Sequence, residues 1–184
     1  MKHIYKTIFI LLIFSSTLLF NRCDPFEDFF LTMTLDTEIN AYFLGSNFYG
    51  SSDFCLSDFD DYNDNSDNLK EIRYISSAYF TLNSSSGLKG DTLHLRLYEG
   101  DGSTLLIDFK KPNFVADDYI NKPLKIDLTD QEINNLNQYL ANFKVNNCFK
   151  AYLGITNATS NNLLLSQLNA KVEFLTELKI EPDF

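Results

Sequence analysis

The residues best suited to coordination chemistry lie in one acidic segment, SSDFCLSDFDDYNDNSDN, which spans residues 51–68 and contains no basic residue. Oxygen ligands at this density suit Ca²⁺. The candidate ligands are Asp58, Asp60, Asp61, Asn63, Asn65 and Asp67. Counted from Asp61, the spacing begins like an EF-hand loop, but position six is Ser66 rather than glycine and position twelve is Ile72 rather than glutamate. The segment is therefore not an EF-hand, and it is interpreted either as a structural calcium site or as a solvated, mobile loop.

Two of the three cysteines, Cys55 and Cys148, are candidates for a disulfide. If Cys23 is modified by lipid, as argued below, they remain as an even pair in an exported protein, which favours a bridge. Strand alternation places Cys148 with Lys150 and Tyr152, away from the core. A bridge would tie the acidic segment to that strand. The alternative is a pair of unpaired, buried thiols.

Catalytic chemistry has little support in the sequence. After Cys23 there is a single histidine, His94, which lies on the outer face of a predicted strand between two leucines. A catalytic triad needs a histidine that faces a cleft, and a zinc site needs several His or Cys ligands. The 25 acidic residues could supply a carboxylate pair, but the chain has no tryptophan to serve as a sugar platform. We expect a non-enzymatic protein without a cofactor, and the alternative is a carboxylate-dependent hydrolase of an envelope or dietary glycan.

Three tyrosines, Tyr79, Tyr98 and Tyr152, fall on the polar side of the strand alternation. An exposed group of aromatic side chains favours a binding face for another envelope protein or a glycan. The alternative is that they cover neighbouring side chains, because a β-bulge shifts the alternation by one residue.

The elements that position these residues are predicted from a dominant period of two, which is typical of half-buried strands. In DTLHLRLYEGDGSTLLIDF, three leucines alternate with polar residues, and the glycines of GDG supply a hairpin turn. In EIRYISSAYFTL the predicted core positions are Ile72, Tyr74, Ala78, Phe80 and Leu82. Two further alternating strands are predicted near residues 149–155 and 164–175.

One helix is predicted after residue 128. Thr129 and Glu132 form a capping box, in which each side chain accepts a hydrogen bond from the other residue's amide. Apolar residues then recur at helical spacing as Ile133, Leu136, Leu140 and Phe143. About seven strands with one short crossover helix predict an antiparallel Greek-key β-sandwich that occupies residues 29–184 as a single domain.

The N-terminus resembles an export signal. Lys2 and Lys6 precede an uncharged apolar run over residues 7–20, which is short for a membrane span and suits a signal peptide. Cys23 stands where a bacterial lipoprotein signal places its lipid-modified cysteine, although Arg22 departs from the small residues that such signals carry. We expect a signal peptide over residues 1–22 and a lipidated, acidic tether over 23–28. The alternatives are an ordinary secretory cleavage and an uncleaved N-terminal anchor.

Charge narrows the range of partners. Residues 23–184 hold 12 basic and 25 acidic residues, a formal net charge of −13, because three of the 15 basic residues precede Cys23. Such a surface repels nucleic-acid phosphates and anionic headgroups. We expect no nucleic-acid partner, and we expect membrane contact only through the lipid anchor.

The order of segments ISSAYFTL, LHLRLYEGDGSTLLIDF, LKIDLTDQEINNLNQYLANFKV and LNAKVEFLTEL resembles small lipoproteins of Bacteroidota with an immunoglobulin-like β-sandwich domain. The resemblance covers roughly residues 71–180, and the acidic DPFED after Cys23 resembles the surface-export signals of the same group. It implies an immunoglobulin-like fold and a cell-envelope location, as an outer-membrane lipoprotein of a Gram-negative bacterium or otherwise a secreted or periplasmic protein. It implies no activity.

Overall fold

The computed structural model describes residues 28–44, 47–162 and 165–182, and within them the chain forms eight strands that pair only in antiparallel fashion. The strands are β1 (Phe29–Leu44), β2 (Asn47–Cys55), β3 (Leu69–Ser84), β4 (Lys89–Glu99), β5 (Leu105–Val115), β6 (Leu124–Ile126), β7 (Cys148–Thr156) and β8 (Gln167–Ile180). The α-helices are α1 (Asp60–Asn65) and α2 (Asp130–Leu140), and 3₁₀ turns lie at Leu56–Asp58 and Ala116–Tyr119. In the described part of the chain, neither helix has the length and apolar character needed to cross a membrane.

The strands form a sandwich because the hydrogen-bonded sheet folds over at the β1–β2 hairpin. The strand order is β5-β4-β7-β2-β1-β8-β3-β6, and β1 pairs with β2 over only three residues. The two halves face each other across the core: Phe54 of β2 stacks on Phe174 of β8 with ring centroids 6.3 Å apart. At Gly50 the strands cross so closely that a Cβ atom would lie 2.3 Å from the Asn40 carbonyl oxygen.

The pairing order is that of a jelly roll. Strand β1 pairs with β8, β2 with β7, β3 with β6 and β4 with β5, which is one long antiparallel hairpin wrapped around a core. The predicted antiparallel β-sandwich is confirmed. The first strand pairs with both the second and the last, and this is the strand order of a jelly roll, which is built of two Greek keys. There are eight strands rather than about seven, since β2 begins in a stretch for which no strand was predicted.

The core is formed by the inward side chains of both sheets. In β4 and β7 the predicted apolar faces are buried as expected, with Leu93, Leu95 and Leu97 opposite the alternate residues of β7. In β3 the prediction fails after residue 74, where a register shift lies between Tyr74 and Ser76. Beyond this irregularity Ser77, Tyr79 and Thr81 are buried and Leu82 is exposed.

Helix α2 begins as predicted. The Thr129 hydroxyl accepts a hydrogen bond from the Glu132 amide at 3.3 Å, and the Glu132 carboxylate accepts one from the Thr129 amide at 2.9 Å. Leu136 and Leu140 are buried against the sandwich. The other oxygen of Glu132 accepts a hydrogen bond from the Asp108 amide of β5 at 2.8 Å, so the cap also fixes the helix to an edge strand.

Candidate functional site

A concave surface of about 1160 Å³ lies over the outer face of β4, β7 and β2, and we call it the outer cleft. Its side-chain lining is dominated by Tyr49, His94, Arg96, Tyr98, Tyr152 and Asn157. The turn after β7 closes one end, and Gly102 of the β4–β5 turn lies at the other. Pockets of this size with aromatic walls and a few polar groups are typical of ligand-binding sites.

The floor of the outer cleft is open because Gly154 stands at its centre. The strand register places Gly154 between Tyr49 of β2 and His94 of β4. A Cβ atom at Gly154 would meet nothing closer than the Phe48 carbonyl oxygen at 3.7 Å, and the backbone there has no positive φ. Neither sterics nor backbone conformation requires glycine here. The flanking strands β2 and β4 are about 9.5 Å apart, which is two strand spacings, and glycine leaves no side chain between Tyr49 and His94.

The next row of side chains forms the wall. Tyr152 lies directly opposite Arg96, and the Tyr98 and Tyr152 rings meet edge to face with centroids 5.5 Å apart. Tyr152 is 37% exposed and Tyr49 is 42% exposed. The structure thus brings together two of the three tyrosines predicted for a binding face and adds Tyr49.

Tyr79 is not part of this face, and its prediction was wrong. The residue is fully buried between the sheets, where its hydroxyl is 3.0 Å from the Thr81 hydroxyl. Burial raises the pKa of this phenol. The cause is the irregularity in β3, which turns the odd positions inward.

Arg96 is held by a carboxylate from the neighbouring strand. Its Nε donates to Asp108 at 3.0 Å, and Lys110 contacts the other oxygen of Asp108 at 3.0 Å. Partial burial alone would raise the pKa of Asp108, but the hydrogen bonds and charges of Lys110 and Arg96 outweigh it and leave that pKa below its usual value. Because the Glu132 carboxylate accepts a hydrogen bond from the Asp108 amide, this ion pair is also fixed to helix α2.

His94 lies in a cationic environment. Desolvation lowers its pKa, the charges of Arg96 and Lys110 lower it further, and Asp108 partly opposes them. These effects favour the neutral imidazole. The residues that line the outer cleft, all within the described part of the chain, include no Asp or Glu. This cleft therefore does not offer the facing carboxylates of a glycosidase.

The two remaining cysteines form a disulfide. Cys55 and Cys148 occupy opposite positions at the ends of β2 and β7, and their sulfur atoms are 2.02 Å apart. The Tyr139 hydroxyl of α2 donates to the Cys148 carbonyl at 2.6 Å. The bridge therefore lies where β2, whose last five residues begin the acidic segment, meets β7 and helix α2.

The acidic segment has regular secondary structure and is not an irregular loop. Its residues form a 3₁₀ turn and α1, with Tyr62 buried in the core. Polar side chains bond locally: Asp58 accepts from the Cys55 amide, Asn63 donates to the Ser57 carbonyl, and Asn65 donates to the Asp61 carbonyl. Among the described residues no three His, Cys, Asp or Glu side chains converge as a metal site requires. The calcium interpretation stays a prediction.

The proposed lipidation site, Cys23, lies outside the described residues, as do residues 24–27 of the tether. The described chain begins at Asp28, whose carboxylate contacts Lys179 of β8 at 2.7 Å. Strand β1 follows at once.

Sequence reasoning found Tyr98 and Tyr152 and missed Tyr49, Arg96 and Gly154 as members of one site. Tyr49 was missed with strand β2. An isolated glycine inside a strand marks a bulge or a place where something approaches closely, so Gly154 carried a usable signal. Arg96 was recognised only as an outward residue of β4.

Comparison with known proteins identifies no family. No protein-family model matches the chain, and no curated protein matches it. Among solved structures, one described as Desmodium yellow mottle tymovirus is 8% identical, with a TM-score of 0.38 over 88% of this chain and 94% of that chain. Another, of T=1 particles derived from infectious bursal virus, is 12% identical, with a TM-score of 0.31 over 87% of this chain and 38% of that one. At these TM-scores neither likeness adds to the fold derived from strand pairing.

Proposed function

We propose that this chain is a non-enzymatic, glycan-binding lipoprotein of the cell envelope, anchored through Cys23. The observation that carries the proposal is the outer cleft, in which exposed tyrosines stand around an open floor at Gly154. The resemblance to Bacteroidota envelope lipoproteins supports the location.

A glycan suits the chemistry of the cleft better than a flat protein surface does. Tyrosine offers a rigid apolar ring with a polar end, and sugar rings present apolar C–H faces edged by hydroxyl groups. Arg96, His94 and Asn157 supply polar groups beside these rings. The gap of about 9.5 Å between the strands that flank Gly154 leaves room for one sugar ring to rest on the floor.

Two features support export. The Cys55–Cys148 bridge is of the kind that persists in oxidising compartments. The N-terminal pattern of two lysines, an apolar run and Cys23 is typical of lipoprotein signals.

The test of the binding site uses Gly154→Val in the full chain, processed in a Gram-negative host. Valine suits a strand and should fill the floor without disturbing the core. Thr34→Val, on the exposed face of β1 in the opposite sheet, is the matched control. We expect glycan-array binding by the wild type and by T34V, and at least a tenfold loss for G154V at an unchanged melting temperature.

Equal binding by wild type and G154V would contradict the proposed site. Release of new reducing ends from a bound glycan would overturn the non-enzymatic assignment. An intact mass without acyl groups on Cys23 would overturn the anchor, and Cys23→Ala provides the reference for that measurement.

A further inference from the structure

We propose that the outer cleft selects acidic saccharides, whose carboxylate group is bound by Arg96. This inference rests on the proposed function and specifies the class of glycan. It is carried by the charge of the cleft and by the way Arg96 is held.

The charge of the cleft is opposite to that of the chain. The protein has a formal net charge of −10, yet the residues that line the cleft include Arg96 and His94 and no acidic residue. The rows around it add two cations, Lys110 and Lys150, and two carboxylates, Asp108 and Asp53. With Arg96 these strand groups sum to +1 when His94 is neutral and to +2 when it is protonated. Two further carboxylates stand at the ends of the cleft: Asp91 accepts a hydrogen bond from Asn157 at 2.6 Å, and Asp101 of the β4–β5 turn interacts with Lys150.

The outer face of the opposite sheet has a different character. Its strands β1 and β8 place Asp36 beside Glu173 and Glu38 beside Lys171. Glu177 continues the row on β8. An anionic ligand is therefore repelled by one face of the sandwich and attracted by the other, so charge complementarity selects the cleft.

Arg96 retains donors for a ligand. A guanidinium has five N–H groups, the bond to Asp108 uses the one on Nε, and the Tyr98 side chain is a second hydrogen-bond partner. The terminal nitrogens carry the other four, in the planar fork that matches a carboxylate with two parallel hydrogen bonds. Lys110 neutralises the second oxygen of Asp108, so Asp108 orients Arg96 without imposing an uncompensated negative charge on the site.

The strand register places the position of the ligand's carboxylate, at Arg96, next to the aromatic surface. Tyr152 is the direct cross-strand neighbour of Arg96, and such neighbours have Cβ atoms about 5 Å apart. Gly154 lies two residues further along β7. A sugar whose carboxylate meets Arg96 would therefore lie over the Tyr152 ring and the open floor.

His94 makes the binding depend on pH. The charged and titratable groups that face it are Arg96 on its own strand, Lys110 and Asp108 on β5, and the tyrosines of β2 and β7. A bound anion favours the protonated imidazole, so acidic saccharides should bind more tightly as the pH falls from 7.5 to 5.5. Uronic acid carboxylates stay ionised over this range, so the ligand's own charge does not change.

The experiment compares one sugar in two charge states. Isothermal titrations of the full chain would use oligogalacturonate, its fully methyl-esterified form, and oligomers of glucuronate and mannuronate. Sodium acetate and inorganic phosphate test for simple anion binding. The variants are Arg96→Gln and Arg96→Lys, with Lys125→Gln on β6 as the charge-matched control, since Lys125 is highly exposed and outside the cleft.

We expect an acidic oligomer to bind at least tenfold more tightly than its ester. We expect R96Q to bind the acidic oligomer at least tenfold more weakly than the wild type does. Its affinity for the ester should change little. R96K should lose affinity too, because lysine lacks the planar fork, and K125Q should match the wild type. Equal affinity for acid and ester, an R96Q effect no larger than that of K125Q, or no binding of any acidic oligomer would overturn the inference.

Glycan binding and acid selectivity can be lost independently of each other. Neutral glycans that bind in a manner sensitive to G154V, with no preference for acids, would leave the proposed function intact and remove the acidic specificity. Acetate or phosphate that binds as tightly as the oligomers would show an anion site rather than a saccharide site.

Discussion

Two glycines of neighbouring strands serve opposite purposes, and only their surroundings distinguish them. At Gly50 the backbone of β1 occupies the space of a Cβ atom, whereas at Gly154 that space is empty. The first glycine is required by packing at the fold of the sheet. The second leaves a floor open on the outer surface.

Alanine substitution should separate these roles. We expect Gly50→Ala to lower the free energy of unfolding by about 3 kcal/mol or more, because a backbone clash cannot relax by side-chain rotation. Gly154→Ala should be neutral or should stabilise by about 0.4–1 kcal/mol through the unfolded chain. Urea denaturation of both variants measures the difference. Equal effects would mean that the close crossing at Gly50 is absent.

Glu132 is a positioning residue for the cleft as well as a cap. Burial alone would raise its pKa, but hydrogen bonds from the Asp108 amide and from Thr129 outweigh it, so the net pKa is lowered. A lowered pKa in the folded state gives stability that is present above the usual value of 4.5 and is lost as the pH falls through the folded-state pKa.

Glu132→Gln should therefore cost about 1 kcal/mol at pH 7, because glutamine cannot accept all of these bonds. The difference in the free energy of unfolding between the wild type and the variant should decrease below pH 4.5. Denaturation curves between pH 3 and 7 provide the measurement. Asp130→Asn, which removes a charge in the same helical turn without a cap bond, is the control. A difference in the free energy of unfolding that stays constant over this pH range would refute the role of the ionised carboxylate.

At the level of secondary-structure elements, the disulfide closes a long covalent loop. Its cysteines are 93 residues apart, and a loop of this length corresponds to about 4 kcal/mol on the chain-entropy model. The bridge joins the ends of β2 and β7 next to α1, so it also holds the acidic segment against the sandwich.

We expect the double variant Cys55→Ala/Cys148→Ala to fold and to melt well below the wild type. Wild-type protein treated with a reductant should melt near the variant, and the reductant should not change the variant. A common melting temperature for oxidised and reduced wild type would contradict a stabilising bridge. Two free thiols in the denatured, unreduced protein would contradict the bridge itself.

Elements with regular local patterns were predictable from the sequence, and those set by irregularities were not. The leucine face of β4 and the capping box of α2 were correct, because alternation and capping are local properties. In β3 the register shift near Ile75 reversed the buried face, and no residue type in the sequence indicates such a shift. That reversal moved Tyr79 from the predicted surface into the core.

For the molecule as a whole, the sequence predicted the β-sandwich but not its strand order. The pairing of β1 with β8 joins residues that are 125 to 151 positions apart, and alternation alone does not specify partners. The same limit applies to the outer cleft. Tyr49, Arg96 and Gly154 come from three strands that are distant in sequence and adjacent only after the jelly roll has formed.

Whether the outer cleft is the ligand site can be read from an NMR titration of the isotopically labelled full chain with trigalacturonate. A ligand site in the outer cleft predicts saturable shifts of the Tyr49, His94, Arg96, Tyr152 and Gly154 amides, and shifts of the first four that saturate only at tenfold or more higher ligand concentration in G154V. Shifts centred on Asp36 and Glu173 of the opposite face, or shifts that persist unchanged in G154V, would contradict it.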